Sequence, residues 1–173
     1  VRICKSYYTL MALHFTIKEF QKRKSDTLKS MKELNLDALL MFRQESMYWL
    51  TGYDTFGYVF FQTLIMDQKG NIILLTRAPD LRQAQNTSNI EDIRIWVDKD
   101  DSSPTDDLKI ILDELNLKGK NIGIEFEAYG LTGRNALRLN KSLESYCRVE
   151  DHSELITKHR VVKSQEEIIY VRK

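Results

Sequence analysis

Short apolar runs alternate with helical patterns along this chain, and this alternation limits the folds that it can adopt. Residues 38–42 form a continuous apolar run, which is typical of a strand buried on both faces of a sheet. Residues 60–66 and 71–76 are two further apolar runs with Gly70 in the short loop between them, so they predict a β-hairpin. Strands that alternate with helices predict a single α/β domain with a mixed central sheet flanked by helices.

The remaining elements are predicted from periodicity and from start and stop residues. Further strands are predicted at 92–97, 121–125 and 146–150, and a polar, acidic loop at 98–103. Helices are predicted at 16–35, 44–50, 79–85, 132–143 and 153–159, and from Pro104 onward.

Two helix starts carry the capping-box pattern. In a capping box, a Ser or Thr accepts a hydrogen bond from the amide three residues on, and a Glu there binds back to the amide of the cap. Thr16 with Glu19 marks the first helix, and Ser164 with Glu167 marks the last. Apolar residues follow Ser164, but no Gly, Asn or Pro stop signal appears before Lys173. A helix start with nothing to pack against predicts that a second domain follows.

These signals divide the chain into three parts. Residues 1–14 are predicted to be a disordered or non-native N-terminal arm, because no initiator methionine is present and Met11 opens a better-organised segment. Residues 15–160 are predicted to form the α/β domain. Residues 161–173 are predicted to be the start of a linker helix to a further domain.

Composition narrows the class of protein. The chain has 173 residues, enough for one domain with its own core, and its net charge of +1 gives no electrostatic reason to expect nucleic acid or an anionic membrane as a partner. No apolar run approaches the roughly 18 residues that span a bilayer. Cys4 and Cys147 lie far apart and unaccompanied, so a disulfide framework is not indicated. A reducing, cytoplasmic location is the expectation.

Motifs for catalysis are scarce. His14, His152 and His159 do not have the spacing of metal ligands, and no phosphate-binding glycine loop or nucleophile elbow is present. The sequence therefore predicts no catalytic residue, no metal ligand and no cofactor site within this chain.

Residues 47–58 are rich in aromatic residues and glycine. Such a loop often presents a surface to a ligand or a partner protein. The alternative is that Trp49 and Phe56 cover the core of the sheet. The hydroxyl groups of Tyr53 and Tyr58 favour a surface role.

Two arginines follow the second strand of the predicted hairpin. Arg77 and Arg82 lie at a strand end, where an arginine can bind a carboxylate through two hydrogen bonds. A structural ion pair of either arginine with Asp80 is the alternative interpretation.

Three segments together resemble the N-terminal domain of the creatinase/prolidase/aminopeptidase P family. These are Leu36-Asp37-Ala38-Leu39-Leu40, the segment Met47-Tyr48-Trp49-Leu50-Thr51-Gly52-Tyr53, and Val162-Lys163-Ser164 with the following Glu166-Glu167-Ile168 and Arg172-Lys173. Their order and spacing match over residues 15–173. The resemblance implies an α/β unit with a mixed sheet, followed by a linking helix and a catalytic domain of the pita-bread fold.

The resemblance also implies a dinuclear metal hydrolase for the whole protein. Two Asp, one His and two Glu of the catalytic domain would bind two divalent ions (Mn, Zn or Co) that hold a hydroxide nucleophile. None of these ligands is assigned here, so this chain alone is expected to be non-catalytic. The expected partners are its own catalytic domain and a second subunit of a homodimer.

In such dimers the aromatic segment after Gly52 would lie over the active site of the other subunit. The resemblance offers Tyr53, Asp54, Tyr58 and Arg77 as substrate contacts across the dimer. The substrate would be a peptide or a small amide or amidino compound; Phe60 occupies the position of the arginine that binds creatine, which argues against creatine. The alternative function is a stand-alone or pseudo-enzymatic module of the same fold that binds peptides or proteins.

Overall fold

The computed structural model describes residues 13–97, 99 and 103–172, together with the backbone of residues 2–4. It contains a seven-stranded sheet and helices on both faces. The strands are β1 (Arg2–Cys4), β2 (Ala38–Met41), β3 (Thr63–Asp67), β4 (Ile72–Arg77), β5 (Asp92–Trp96), β6 (Asn121–Ile124) and β7 (Arg148–Asp151). The helices are α1 (Ile17–Glu33), α2 (Gln44–Thr51), α3 (Leu81–Thr87), α4 (Pro104–Glu114), α5 (Gly133–Leu143), α6 (Glu154–Val161) and α7 (Gln165–Val171).

The sheet is mixed, with the order β1-β5-β4-β3-β2-β6-β7. The pairs β2–β6, β4–β5 and β6–β7 are parallel, whereas β1–β5, β2–β3 and β3–β4 are antiparallel. Strands β3 and β4 form the predicted hairpin. Its loop is closed by the carboxylate of Asp67, which accepts from the amides of Lys69 and Asn71, and Gly70 supplies the positive φ of +82°. The predicted α/β fold with a mixed central sheet is confirmed.

Strand β2 lies near the middle of the sheet and is buried on both faces. Ala38 and Leu40 point into one half of the core, which contains residues of α4 and α5. Leu39 and Met41 point into the other half, which contains residues of α1, α2, α3 and α6. This two-sided burial explains why the sequence of β2 is a continuous apolar run rather than an alternating one.

Several predicted boundaries differ from the structure. The first hairpin strand begins at Thr63 rather than at residue 60, because residues 57–59 form a 3₁₀ turn and the amide of Phe60 closes it by donating to the carbonyl of Gly57. A 3₁₀ turn, Ala78–Asp80, also precedes α3 where a single helix was predicted. Within the predicted disordered arm, residues 2–4 form the edge strand β1, paired with β5. Most of the predicted acidic loop at 98–103 lies outside the described residues.

Candidate functional site

Five exposed apolar and aromatic side chains lie between α2 and β3 and in the loop after β6. We call this group the aromatic surface; it consists of Phe56, Tyr58, Val59, Phe60 and Tyr129. Phe56 is 87% exposed and Tyr129 is 81% exposed. The rings of Tyr58 and Tyr129 meet edge to face with their centroids 6.1 Å apart. Because large aromatic rings are costly to leave in water, the group has the properties of an interaction surface.

A close approach of two backbones joins the two parts of the aromatic surface. A Cβ atom at Gly130 would lie 2.6 Å from the carbonyl oxygen of Phe60 and 2.8 Å from that of Tyr58. Only glycine permits such an approach without a shift of the backbone. Gly130 therefore holds Tyr129 next to the segment 56–60.

An ion pair fixes the other side of the aromatic surface. Arg77 donates from Nε to Oδ2 of Asp80 at 3.1 Å, and its guanidinium carbon lies 3.4 Å from the centroid of the Phe60 ring. Gly57 packs against the same carboxylate, since a Cβ atom there would lie 2.5 Å from Oδ1 of Asp80. The amide of Gly57 also donates to the hydroxyl of Thr55. Of the two interpretations offered for Arg77, the structure contains the ion pair with Asp80.

Tyr53 is fully buried, so the predicted surface role of its hydroxyl group is wrong. The hydroxyl donates to Oε1 of Gln62 at 2.9 Å, and the hydroxyl of Thr76 donates to the same oxygen. Burial raises the pKa of Tyr53 to about 12. The packing of β3 and β4 encloses the ring, which a pattern confined to residues 47–58 does not reveal.

The other predicted contact residues occupy different places. Tyr58 belongs to the aromatic surface, and Arg77 lies beside it. Asp54 is exposed and lines a groove of about 420 Å³ together with Phe15, Gln44, Glu45, Tyr48, Trp49, Arg160, Lys163 and Glu167. Trp49 is buried and covers the core of the sheet, which was the alternative interpretation of residues 47–58. Phe56 is exposed, as the interpretation of an interaction surface predicted.

Tyr129 and Val59 were missed as surface residues. The sequence contained a signal for Tyr129, since an aromatic residue beside Gly130 repeats the pattern that singled out residues 47–58. Its loop lies far along the chain from Tyr58, however, and only the parallel pairing of β2 with β6 brings the two segments together.

A buried carboxyl group lies at the ends of the parallel strands β2 and β6. Glu125 accepts hydrogen bonds from the amides of Phe42 and Arg43 and from the hydroxyl of Ser46. Burial raises the pKa of Glu125 to about 7, and the three donors oppose that rise. All three donors precede or begin α2, so Glu125 satisfies backbone groups at the start of that helix. The carboxyl is enclosed, and we assign it a structural role.

The last helix, α7, packs against the beginning of α1. Its own capping box is confirmed, since Ser164 accepts from the amide of Glu167 and the Glu167 carboxylate accepts from the amide of Ser164. The expectation that this helix start has nothing to pack against is wrong. The carboxylate of Glu166 accepts from the amide of Thr16 at 3.0 Å and from its hydroxyl at 2.6 Å. These hydrogen bonds lower the pKa of Glu166.

The predicted capping box of α1 is only half formed. Thr16 accepts from the amide of Glu19, as predicted. The Glu19 carboxylate does not return to Thr16; it accepts instead from Nε of Arg23 at 2.9 Å. Glu166 occupies the place that Glu19 was predicted to take.

The described residues contain no group of three or more His, Cys, Asp or Glu side chains that could hold a metal ion. The two ions that the resemblance implies therefore have no ligand set in this part of the chain, and we derive no chemical step through them. No helix among the described residues is long and apolar enough to cross a bilayer.

Comparisons with known proteins agree with the fold and with the family that the sequence resembles. The family model of the Creatinase/Prolidase N-terminal domain matches residues 23–162. A hydrolase/peptidase of Sinorhizobium fredii is 28% identical over 167 residues, and an ectoine hydrolase of Halomonas elongata is 26% identical over 169. These alignments cover 92% and 94% of the chain but only 42% of each relative. The chain thus spans less than half the length of these relatives.

Solved structures of peptidases share the fold. A prolidase from Thermococcus sibiricus superposes with a TM-score of 0.72 at 15% identity, over 87% of this chain and 39% of that one. A Xaa-Pro aminopeptidase from Streptococcus pyogenes has a TM-score of 0.64 at 17% identity, over 83% of this chain and 98% of that one. The match of the family model to most of the chain, which has the predicted mixed sheet, identifies this chain as a member of the creatinase/prolidase N-terminal domain family.

Proposed function

We propose that this domain is the non-catalytic N-terminal part of a cytoplasmic, metal-dependent hydrolase, where it forms a homodimer and shapes access to the active site of the partner subunit. The aromatic surface carries this proposal. The names of the relatives, a hydrolase/peptidase and an ectoine hydrolase, support cleavage of a C–N bond in a peptide or a small amide or amidino compound. A catalytic domain with two divalent ions (Mn, Zn or Co) would supply the chemistry.

The aromatic surface suits a role at a protein interface. It is apolar, it is exposed, and Gly130 and the Arg77–Asp80 ion pair hold it in one arrangement. Rigid aromatic side chains lose little conformational entropy when they are buried, and they are enriched at interfaces for that reason. Placed over the active site of the partner subunit, the surface would exclude water and contact the substrate without contributing a reacting group.

The test uses the protein extended through its catalytic domain. We expect Phe56→Ala and Tyr129→Ala each to weaken dimerisation by about tenfold, as is typical of exposed aromatic residues at the centre of an interface. Analytical ultracentrifugation measures the dimer, and hydrolysis of Xaa-Pro peptides with added Mn²⁺ measures activity.

Ile110→Ala is the matched control, because Ile110 is exposed on α4 and does not belong to the aromatic surface. If the aromatic variants dimerise and hydrolyse as this control does, the surface is not the interface. An extended protein that lacks metal-dependent hydrolysis altogether would refute the catalytic part of the proposal.

A binding module without catalysis is the second candidate. One observation favours it: the aromatic surface is formed within this chain and needs no catalytic domain to be complete. A downstream pita-bread domain without metal ligands, combined with binding of peptides to the aromatic surface, would support this candidate over the hydrolase.

A further inference from the structure

Two acidic residues at the start of α7 contact the N-cap and the second turn of α1. The carboxylate of Glu166 accepts two hydrogen bonds from Thr16, one from the amide and one from the hydroxyl. Thr16 is the N-cap of α1, and its amide would otherwise need another acceptor. Glu166, which lies far along the chain, thus takes the place of the nearby Glu19 as the acceptor for the amide of Thr16.

The neighbouring Glu167 approaches a buried arginine. Arg23 is 2% exposed; its Nη1 donates to the carbonyl of Trp49 and its guanidinium lies over the ring of Phe15. Its Nη2 donates no hydrogen bond to a described residue, and it lies 3.4 Å from Oε1 of Glu167. Glu19 already pairs with Nε of Arg23 at 2.9 Å, and Glu167 places a second carboxylate beside the buried Nη2, where an atom without a partner is costly.

Among the described residues, few other contacts hold α7. No residue of α7 is buried. The hydroxyl of Tyr170 donates to the carbonyl of His14, and its ring meets the rings of Phe15 and His14 edge to face, with centroids 5.4 Å and 6.3 Å apart. Ile169 and Val171 are more than half exposed. The position of the helix therefore depends mainly on polar contacts and on the ring of Tyr170 rather than on a buried apolar face.

We propose that the contacts Glu166–Thr16 and Glu167–Arg23, together called the linker latch, fix the direction in which the chain leaves the domain. When the latch is broken, α7 turns about residues 162–164, which connect it to α6 and lie outside both helices. The latch is a conformational device of the domain itself. On the proposed function, on which this consequence rests, it sets where the catalytic domain stands relative to the aromatic surface.

Hydrogen exchange tests the latch in the 173-residue chain without any measurement of activity. We expect Glu166→Ala to accelerate exchange of the amides of residues 168–172 by about tenfold, since a hydrogen bond to a charged group contributes roughly that factor. The amides within α1 and the sheet should keep the rates of the unmodified protein.

Two further variants distinguish the effect of losing the latch from the effect of changing the helix propensity of α7. Gln165→Ala changes the exposed neighbour in the same turn and should leave the rates unchanged. Thr16→Ala alters the other side of the latch without changing the sequence of α7, and it should accelerate exchange of residues 168–172 by a smaller factor, because the amide of residue 16 remains.

The proposal is overturned if Glu166→Ala and Gln165→Ala give the same rates. It is also overturned if Thr16→Ala leaves the exchange of α7 unchanged, because the effect of Glu166→Ala would then belong to α7 alone. Either result leaves the proposed hydrolase function untouched, because hydrolysis depends on a different part of the protein.

Discussion

The guanidinium of Arg77 lies over the ring of Phe60, with 3.4 Å between its central carbon and the ring centroid. Asp80 holds the guanidinium there through the Nε bond, and Gly57 leaves room for the carboxylate. A cation over an aromatic ring is attracted by the negative face of the ring. The exposed aromatic surface therefore packs against the Arg77–Asp80 ion pair, which holds Phe60 in place.

Gly57→Ala should destabilise the domain. The added Cβ would lie 2.5 Å from the Asp80 carboxylate, so the ion pair with Arg77 must shift. We expect the free energy of unfolding in urea to fall by about 1–3 kcal/mol. Gly133→Ala is the matched control: its Cβ meets nothing within 4 Å, and alanine favours the helix start there. Equal effects of the two substitutions would contradict the close packing at Gly57.

Glu125→Gln should flatten the dependence of stability on pH. The pKa of Glu125 is raised from 4.5 to about 7 in the folded protein, so folding binds a proton and the stability from this group is full below pH 4.5 and is lost as pH rises through 7. The loss is on the order of 3 kcal/mol. A glutamine can accept from the same amides and donate to Ser46, and it does not titrate.

The measurement is the free energy of unfolding at pH 5 and pH 8, compared between the unmodified protein and Glu125→Gln. Groups whose pKa is lowered on folding, such as Asp151, act equally in both proteins and cancel in the comparison. Glu45→Gln, an exposed change on the same helix α2, is the control. Parallel pH profiles for the unmodified protein and Glu125→Gln would show that Glu125 does not titrate in this range.

Tyr53→Phe should lower the free energy of unfolding by about 1 kcal/mol, because it removes a buried hydrogen bond to Gln62. Tyr58→Phe removes a hydroxyl from a half-exposed ring and should change stability very little. Urea unfolding measures both. A larger loss for Tyr58→Phe than for Tyr53→Phe would contradict the burial of Tyr53.

The fluorescence of Trp49 should report the protonation of His159. The two rings stack with centroids 5.8 Å apart, and burial lowers the pKa of His159 from its ordinary value of 6.5. A charged imidazole quenches a neighbouring indole, so we expect emission to fall in acid with a midpoint below 6.5. Because the pKa of His159 is lower in the folded protein, the stability that this shift contributes is fully present above pH 6.5. It is lost as the pH falls through the pKa of the folded state.

His159→Gln is the variant for this prediction. It keeps a hydrogen-bonding group near Ser30, the partner of His159 at 3.0 Å, and removes the titration. Trp49→Phe leaves only Trp96 and separates the two indole signals. A quenching step that persists in His159→Gln would contradict the assignment.

Local patterns were predictable from the sequence where local forces decide the structure. The capping box of Ser164 and Glu167 and the hairpin at Gly70 depend on residues close in the chain, and both formed as predicted. The box of Thr16 failed in part because Glu166, distant in sequence, competes for the same amide. No rule restricted to neighbouring residues includes such a competitor.

The candidate site was predictable only as a segment. The aromatic content of residues 47–58 indicated an interaction surface, but the division between buried Tyr53 and exposed Tyr58 depends on how β3 and β4 cover the chain. Tyr129 belongs to the aromatic surface only because the strand order places β6 beside β2. Both are properties of tertiary packing, which overrides a local composition signal.

The two halves of the core each contain one tryptophan, Trp49 on the face of α1 and Trp96 on the face of α4. The sheet thus carries a separate optical probe on either side. In a cooperative domain the two probes lose their native signal at the same denaturant concentration, whereas a partly folded state would separate them. Single-tryptophan variants of this chain can therefore tell whether the two layers unfold as one unit.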